Sequence, residues 1–135
     1  MERTNFEKLR VYKLSEDLAD RIWDIVLKWE YLAKDTVGKQ MIRAADGIGA
    51  NIAEGTGRGS LEDNRRFIRM ARGSLYETQH WLRRAYKRAL LNKHQVSDLK
   101  PIIRAITDIE CLSSLCKPGC CQLPKAKYKA QSTKF

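Results

Sequence analysis

The chain has 135 residues and a formal net charge of +10, with 26 Lys and Arg residues against 16 Asp and Glu residues. This length suits one domain with a modest core, and the excess of positive charge favours a polyanionic partner, most simply nucleic acid. Charged residues interrupt residues 1–30, and no apolar run approaches the ~20 residues that a membrane span needs. We therefore expect a cytoplasmic protein with no signal peptide and no membrane contact.

The hydrophobic periodicity predicts four helices and no strand. The first is predicted from about Glu7 to Trp29, with a mildly acidic outer face. The second is predicted from about Thr36, as its N-cap, to about Gly55, where a run of glycines would end it by adopting positive φ. The apolar faces predicted for them are Val11, Leu14, Leu18, Ile22, Ile25, Val26 and Trp29, then Val37, Met41, Ala44, Ala45, Ile48 and Ile52. Small residues on the second helix predict close approach of neighbouring backbones.

The third helix is predicted to begin after Ser60 and to continue to about Leu90. Ser60 with Asp63 approximates a capping box at its start. Gly73 lies inside this helix at a cost of ~1 kcal/mol relative to alanine, so we expect another segment to pack closely there. The predicted core face is Phe67, Ala71, Leu75, Thr78, Leu82, Ala85 and Ala89.

The fourth helix is predicted from Asn92 to about Lys117, with a second capping box formed by Asn92 and Gln95. Pro101 removes one backbone hydrogen bond and should bend the first turns. The predicted core face is Leu99, Ile102, Ile103, Ile106, Ile109 and Leu112.

Four helices joined by short links are typical of an antiparallel up-down-up-down bundle. We therefore predict an all-α fold, with a four-helix bundle over residues 1–117 and a basic, cysteine-containing flexible tail over residues 118–135. The four cysteines all lie near the C-terminus, at Cys111, Cys116, Cys120 and Cys121. In a reducing cytosol they would be free thiols, and they lack the C-x-x-C spacing typical of zinc sites. We expect no metal and no other cofactor.

The positive charge is concentrated around the third helix, since residues 60–94 carry nine Lys and Arg but only three Asp and Glu. At 100° per residue, the basic side chains of this helix lie on the side away from its core face. We call this set the basic face, and it consists of Arg65, Arg66, Arg69, Arg72, Arg83, Arg84, Lys87 and Arg88. Exposed helices usually interleave Glu with Lys and Arg, whereas Glu77 is the only acid between Asp63 and Asp98. The pattern predicts a surface that binds phosphates, with arginine forks as ligands, and docking of an acidic protein is the alternative.

Two further polar patterns are weaker. The glycine-rich stretch 51–60 is not a nucleotide loop, because no strand precedes it and no Gly-Lys-Ser/Thr follows. Arg43, Asn51, Glu54 and Arg58 fall within an ~80° arc beside the apolar stripe of the second helix, which predicts a structural polar clamp between helices or subunits, or else an exposed functional patch. No His, Cys or second carboxylate completes an acid–base pair there, so we expect no catalytic residues and no enzyme.

Several short motifs, taken in order, resemble one known family. They are Phe6, Leu9, Val11-Tyr12 and Leu14, then Arg43-Ala44-Ala45, Ile48, Asn51-Ile52-Ala53-Glu54-Gly55, Gly57-Arg58, Ser60, Arg66-Phe67, Ala71, Gly73-Ser74 and Glu77. This order resembles the four-helix-bundle proteins first described as encoded in intervening sequences of bacterial 23S ribosomal RNA. The resemblance covers roughly residues 5–115 and implies the same bundle fold.

The stretch from Trp81 to Arg88 is more similar to one branch of that family, the accessory variability determinant (Avd) proteins of diversity-generating retroelements. This resemblance implies a ring-like homopentamer that binds a reverse transcriptase and its template RNA, with DNA as a second candidate. It implies no catalytic residues and maps nucleic-acid contact to the basic face. The alternative is a stand-alone protein of the ribosomal intervening-sequence group that binds RNA without a polymerase. The segment after Lys117 departs from the family pattern, so no role transfers to it.

Overall fold

The computed structural model of the chain describes residues 6–109, and all regular structure in that range is helical. The four main helices are α1 (Arg10–Val26), α2 (Lys39–Gly57), α3 (Leu61–Lys87) and α4 (Lys93–Thr107). A 3-10 turn, Phe6–Lys8, precedes α1, and a helical turn, Tyr31–Ala33, followed by a π-helix, Lys34–Gly38, leads into α2. No strand occurs in this part of the chain, so the predicted all-α class is confirmed.

The predicted apolar faces form the core. All six apolar residues predicted for the second helix are buried, and so are most of the residues predicted for the other three apolar faces. The large side chains with no solvent exposure are Leu18, Ile22, Met41, Ile48, Ile52 and Ile106. Because burying one such side chain contributes ~1.5–3 kcal/mol, these positions from α1, α2 and α4 hold the helices together.

Helix α2 lies between α1 and α3, and its glycines permit the close approach. A Cβ built on Gly47 would lie 3.0 Å from the Oγ of Ser74 on α3, and one on Gly55 would lie 2.8 Å from the Cβ of Phe67. A Cβ on Gly49 would lie 3.0 Å from a side chain of α1. Because the later residue of α2 meets the earlier residue of α3, these two helices run antiparallel. The predicted close approach is confirmed at Gly47 and Gly49, whereas Ala50, another small residue of this helix, is exposed.

Helix α4 packs chiefly against α1. A short turn joins α3 to α4, yet the two helices make little contact along their lengths. This divergence leaves space between the end of α3 and the start of α4, which matters for the site described below. No helix in the described range is long and apolar enough to cross a lipid bilayer.

The predicted caps of α3 and α4 are confirmed. The Ser60 Oγ accepts a hydrogen bond from the backbone N–H of Asp63 at 3.1 Å. At α4, the Asn92 side chain accepts from the Gln95 N–H at 2.8 Å, and the Gln95 side chain accepts from the Asn92 N–H at 3.0 Å. Both caps use contacts within four residues, which is why the sequence predicts them.

Other helix ends differ from the prediction. Thr36 is not an N-cap, because it lies inside the π-helix and its Oγ1 donates to the Leu32 carbonyl at 2.6 Å. Helix α2 ends when Arg58 turns extended at φ −79° and ψ 146°, and no glycine among residues 6–109 has positive φ. Helix α4 ends at Thr107 rather than near Lys117. The predicted core residue Leu112, the four cysteines and the predicted tail over residues 118–135 lie outside the described residues.

Helix α3 ends in a Schellman motif. The N–H of Ala89 donates to the Tyr86 carbonyl at 3.1 Å, and the N–H of Leu90 donates to the Ala85 carbonyl at 2.9 Å. Ala89 has a φ of 60°, a left-handed conformation that costs an L-residue ~1–2 kcal/mol and is usually filled by glycine. Ala89 is exposed, so its predicted place in the core is wrong, because the helix ends before it.

The predicted packing at Gly73 is also wrong. Gly73 is exposed, and a Cβ built on it would meet no atom within 4 Å. The cost of this glycine to α3 is therefore not offset by any close contact among the described residues.

Candidate nucleic-acid interface

The basic face lies along α3 and the turn that follows it. Arg66, Arg69, Arg83, Lys87 and Arg88 are exposed, whereas Arg65, Arg72 and Arg84 are partly buried. The opposite side of α3 packs into the core through Phe67, Ile68, Ala71, Leu75, Thr78, Leu82 and Ala85. Each residue of the basic face therefore has at least part of its side chain on the molecular surface.

The basic face is divided into two clusters. No Lys or Arg lies between Arg72 and Arg83, an axial distance of about 16 Å at 1.5 Å per residue. The exposed side chains of Tyr76 and His80 occupy this interval. The N-terminal cluster consists of Arg65, Arg66, Arg69 and Arg72, and the C-terminal cluster consists of Arg83, Arg84, Lys87 and Arg88.

Part of the N-terminal cluster is engaged by neighbouring side chains. The Arg66 Nε lies 3.9 Å from the Asp63 Oδ1, and its guanidinium carbon lies 5.1 Å from the centre of the Phe67 ring. Arg58 approaches the same ring at 4.8 Å. The Nε of Arg65 is buried and has no hydrogen-bond partner among residues 6–109. Arg66 and Arg58 are therefore held close to the protein surface by local contacts.

The C-terminal cluster has no such restraint. Within residues 6–109, none of its members forms an ion pair. Arg84 and Lys87 lie in the last turn of α3, where cations also interact favourably with the negative end of the helix dipole. Their charges are therefore compensated by the helix only in part and face solvent.

A cleft of about 560 Å³ lies beside the C-terminal cluster, between the end of α3 and the start of α4. Its apolar side includes the buried residues Leu82, Leu91 and Leu99. Its basic side consists of Arg83, Arg84 and Lys87 from α3 with Lys93 and Lys100 from α4, and none of the residues that line it is acidic. The structure thus extends the C-terminal cluster onto a second helix.

The contribution of α4 was not predicted from the sequence. Lys93, Ser97 and Lys100 all line the cleft, and their i, i+4, i+7 spacing places them on one face of a helix. That spacing was readable in the sequence. The spacing does not show that this face of α4 lies beside the end of α3.

The predicted polar clamp is separated into parts. Glu54 and Arg58 form an exposed ion pair one turn apart at 2.7 Å. The Nδ2 of Asn51 donates to the Gly47 carbonyl at 2.8 Å and to the Ser74 Oγ at 3.3 Å, which links α2 to α3. Arg43 is exposed and forms no ion pair within the described range. The structure therefore brings together one pair and one interhelical link, and it does not gather all four residues.

In the described part of the chain, the titratable groups do not form a second candidate site. Burial raises the pKa of Asp46 on α2 above its ordinary value of 3.8, and the charge of Asp20 on α1 raises it further. No three His, Cys, Asp or Glu side chains among residues 6–109 are grouped as metal ligands.

Comparison with known proteins places the chain in a family. Residues 7–109 match the family model described as 23S rRNA-intervening sequence protein, and no curated protein matches the sequence. One similar solved structure is a protein with unknown function from the S23 ribosomal protein family of Bacteroides thetaiotaomicron VPI-5482. It is 24% identical, with a TM-score of 0.67 over 79% of this chain and 98% of that chain, which shows a shared fold. Because the family model spans most of the sequence, the protein belongs to the 23S rRNA-intervening sequence protein family.

Proposed function

We propose that this protein is a non-enzymatic RNA-binding scaffold whose contact surface is the basic face of α3. The observation that carries the proposal is the cleft beside the C-terminal cluster, where cationic side chains from α3 and α4 meet without a carboxylate among the lining residues. Phosphates that contact such a surface release counterions, which provides most of the affinity of sequence-independent binding. The resemblance of Trp81–Arg88 to the Avd branch implies contact with a template RNA, with DNA as the second candidate.

Recognition is proposed to depend on charge and shape. The basic face is made of long, flexible side chains suited to phosphate, and phosphate contacts position a protein without specifying a base sequence. Double-stranded RNA is recognised mainly through backbone and 2′-hydroxyl contacts across its shallow minor groove. Sequence selectivity would then come from a partner protein.

A salt titration with an RNA hairpin tests the proposal. Between ~50 and ~200 mM salt, log K should fall linearly with log salt, with a slope of about −0.7 to −0.9 for each phosphate contacted. Replacing Arg69, Arg83 and Lys87 with Glu should abolish RNA binding and leave the helical circular dichroism spectrum unchanged.

The matched control makes the same change of net charge elsewhere. Lys13, Lys28 and Lys34 are exposed on other parts of the surface, and replacing them with Glu should weaken binding only slightly. RNA binding that survives the first triple change, or is lost equally in the control, would refute the assignment. Absence of RNA binding together with binding of an acidic protein would favour the protein-docking alternative.

A more specific form of the proposal makes the protein the accessory subunit of a diversity-generating retroelement reverse transcriptase. The segment Trp81–Arg88, which resembles the Avd branch, contains the entire C-terminal cluster. Co-purification with such a reverse transcriptase tests this form. RNA binding without any polymerase binding would instead support a stand-alone protein of the intervening-sequence group.

We further propose that the chain forms an up-down-up-down bundle that assembles in the cytoplasm as a ring-like homo-oligomer. Large apolar side chains near the α1–α2 connection support assembly, since Trp23, Leu27, Tyr31 and Leu32 are 50%, 52%, 80% and 74% exposed. Clustered exposed apolar residues of this kind commonly mark protein interfaces. The resemblance implies five subunits, and the molar mass from light scattering tests that number, with a monomeric mass as the contrary result.

A further inference from the structure

The cleft between α3 and α4 has two chemically different sides. Because the lining leucines are themselves buried, Tyr86 and Val96 form the accessible apolar side. Arg83 and Lys87 belong to the basic side. Its volume of about 560 Å³ falls in the ~300–1,000 Å³ range of small-molecule sites. A ligand that matches both sides must carry an apolar portion next to negative charge.

One residue of the basic side, Lys93, is not explained by local helix stability. Lys93 is the first residue of α4, where the positive end of the helix dipole disfavours a cation. Helix α4 has no acidic residue in its first turn to compensate it. The position of this lysine therefore favours an external anion as the partner of its charge.

A single nucleotide has the required chemistry. Inorganic phosphate would make no use of Tyr86 and Val96, and an apolar ligand would make no use of Arg83 and Lys87. A nucleobase presents a flat apolar surface, and the phosphates on either side of it carry the negative charge. Tyr86, which is 46% exposed and lines the cleft, offers an aromatic ring of the kind on which unpaired bases stack.

We propose that the cleft binds one unpaired nucleotide of an RNA, with its base against Tyr86 and Val96 and its flanking phosphates on Arg83, Lys87 and Lys93. This inference rests on the proposed RNA-binding function and names the feature of RNA that the site selects. A paired base is excluded, because its partner strand prevents it from entering a cleft of this size. The basic face then binds duplex backbone while the cleft selects bulges, loops or ends.

Two hairpins that differ by one bulged nucleotide test the inference. The bulge carries 2-aminopurine, and affinity is measured by fluorescence anisotropy. Stacking of one base on protein is worth enough to predict about tenfold tighter binding of the bulged hairpin. Bound 2-aminopurine should also be protected from acrylamide quenching.

Filling the cleft provides the decisive variant. Ser97 is exposed and lines the cleft, so Ser97→Trp occupies the space without removing a charge, and Ser97→Ala is the matched control. Ser97→Trp should abolish the preference for the bulge and leave affinity for the paired hairpin unchanged. As a measurement on the unaltered protein, photocrosslinking from a bulged 4-thiouridine should label residues 82–100.

The outcomes distinguish failure of this inference from failure of the proposed RNA-binding function. Equal affinity for both hairpins, or a bulge preference that Ser97→Trp leaves intact, overturns the inference and leaves RNA binding standing. Binding of neither hairpin overturns both. Selective binding of an acidic peptide that Ser97→Trp abolishes, with no crosslink to RNA, assigns the cleft to a protein partner and also overturns the inference.

Discussion

The two ends of α3 carry the same residue types in different surroundings. At the N-terminal end, Arg66 lies near Asp63 and over the Phe67 ring, and the first turn contains two acidic residues. At the C-terminal end, Arg83, Arg84, Lys87 and Arg88 form no ion pair within the described residues. Helix α4 adds further lysines around a cleft there. The number of basic residues in a segment therefore overstates how many of them are available to bind a ligand.

The difference has an energetic basis. An arginine stacked on an aromatic ring gains ~0.5–1 kcal/mol at an exposed site, and an exposed ion pair contributes ~0–1 kcal/mol. Arg66 must give up part of both to contact a phosphate. The residues of the C-terminal cluster give up little, so the same number of charges should bind RNA more tightly there.

The largest expected effect compares charge reversal at the two ends. Replacing Arg83 and Lys87 with Glu should lower RNA affinity by ~100-fold at low salt and reduce the slope of log K against log salt. Replacing Arg66 and Arg69 with Glu, an equal change of net charge, should cost ~10-fold, because Arg66 is already engaged by Asp63 and Phe67. Filter-binding titrations measure both, and equal losses would show that the two clusters are equivalent.

The next effect tests the packing beneath the N-terminal end. In Gly55→Ala the new Cβ would lie 2.8 Å from the Phe67 Cβ and 3.3 Å from the Asn64 carbonyl oxygen. Neither atom is the end of a flexible chain, so we expect a loss of ~1–3 kcal/mol in the free energy of unfolding. Urea denaturation followed by circular dichroism measures it. Gly57→Ala, which meets nothing within 4 Å, is the control and should not destabilise.

A gain of stability is expected in the interval between the clusters. Gly73→Ala adds a methyl group into open space and should raise the free energy of unfolding by ~1 kcal/mol. RNA affinity should stay unchanged, since both clusters keep their charges. A smaller assembly in light scattering would instead show that a neighbouring protomer packs on this glycine.

The smallest expected effect lies at the C-terminal end. Ala89→Gly relieves the positive φ of the Schellman motif and should stabilise the protein by ~0.5–1 kcal/mol, because the added freedom of the unfolded chain offsets part of the gain. Ala50→Gly, at an exposed position inside α2, should have the opposite sign in the same denaturation experiment. A loss of stability in Ala89→Gly would contradict the conformation of this turn.

The sequence by itself determined the four helices, their apolar faces and the caps at Ser60 and Asn92. These features depend on contacts between residues three or four apart, which periodicity reports directly. It also placed the basic residues of α3 on the side away from the core. It failed at Gly73, Ala89 and Thr36, where the outcome depends on what lies next to a residue in space or on where a helix ends.

Only the tertiary structure decided which of those charges are available. Arg66 and Arg58 meet on one phenylalanine because α2 and α3 pack side by side. The cleft exists because α4 packs on α1 and diverges from α3, and Lys93 and Arg83 both line it. Contacts between helices depend on packing angles and on the volumes of many side chains at once, and no local pattern in the sequence encodes them.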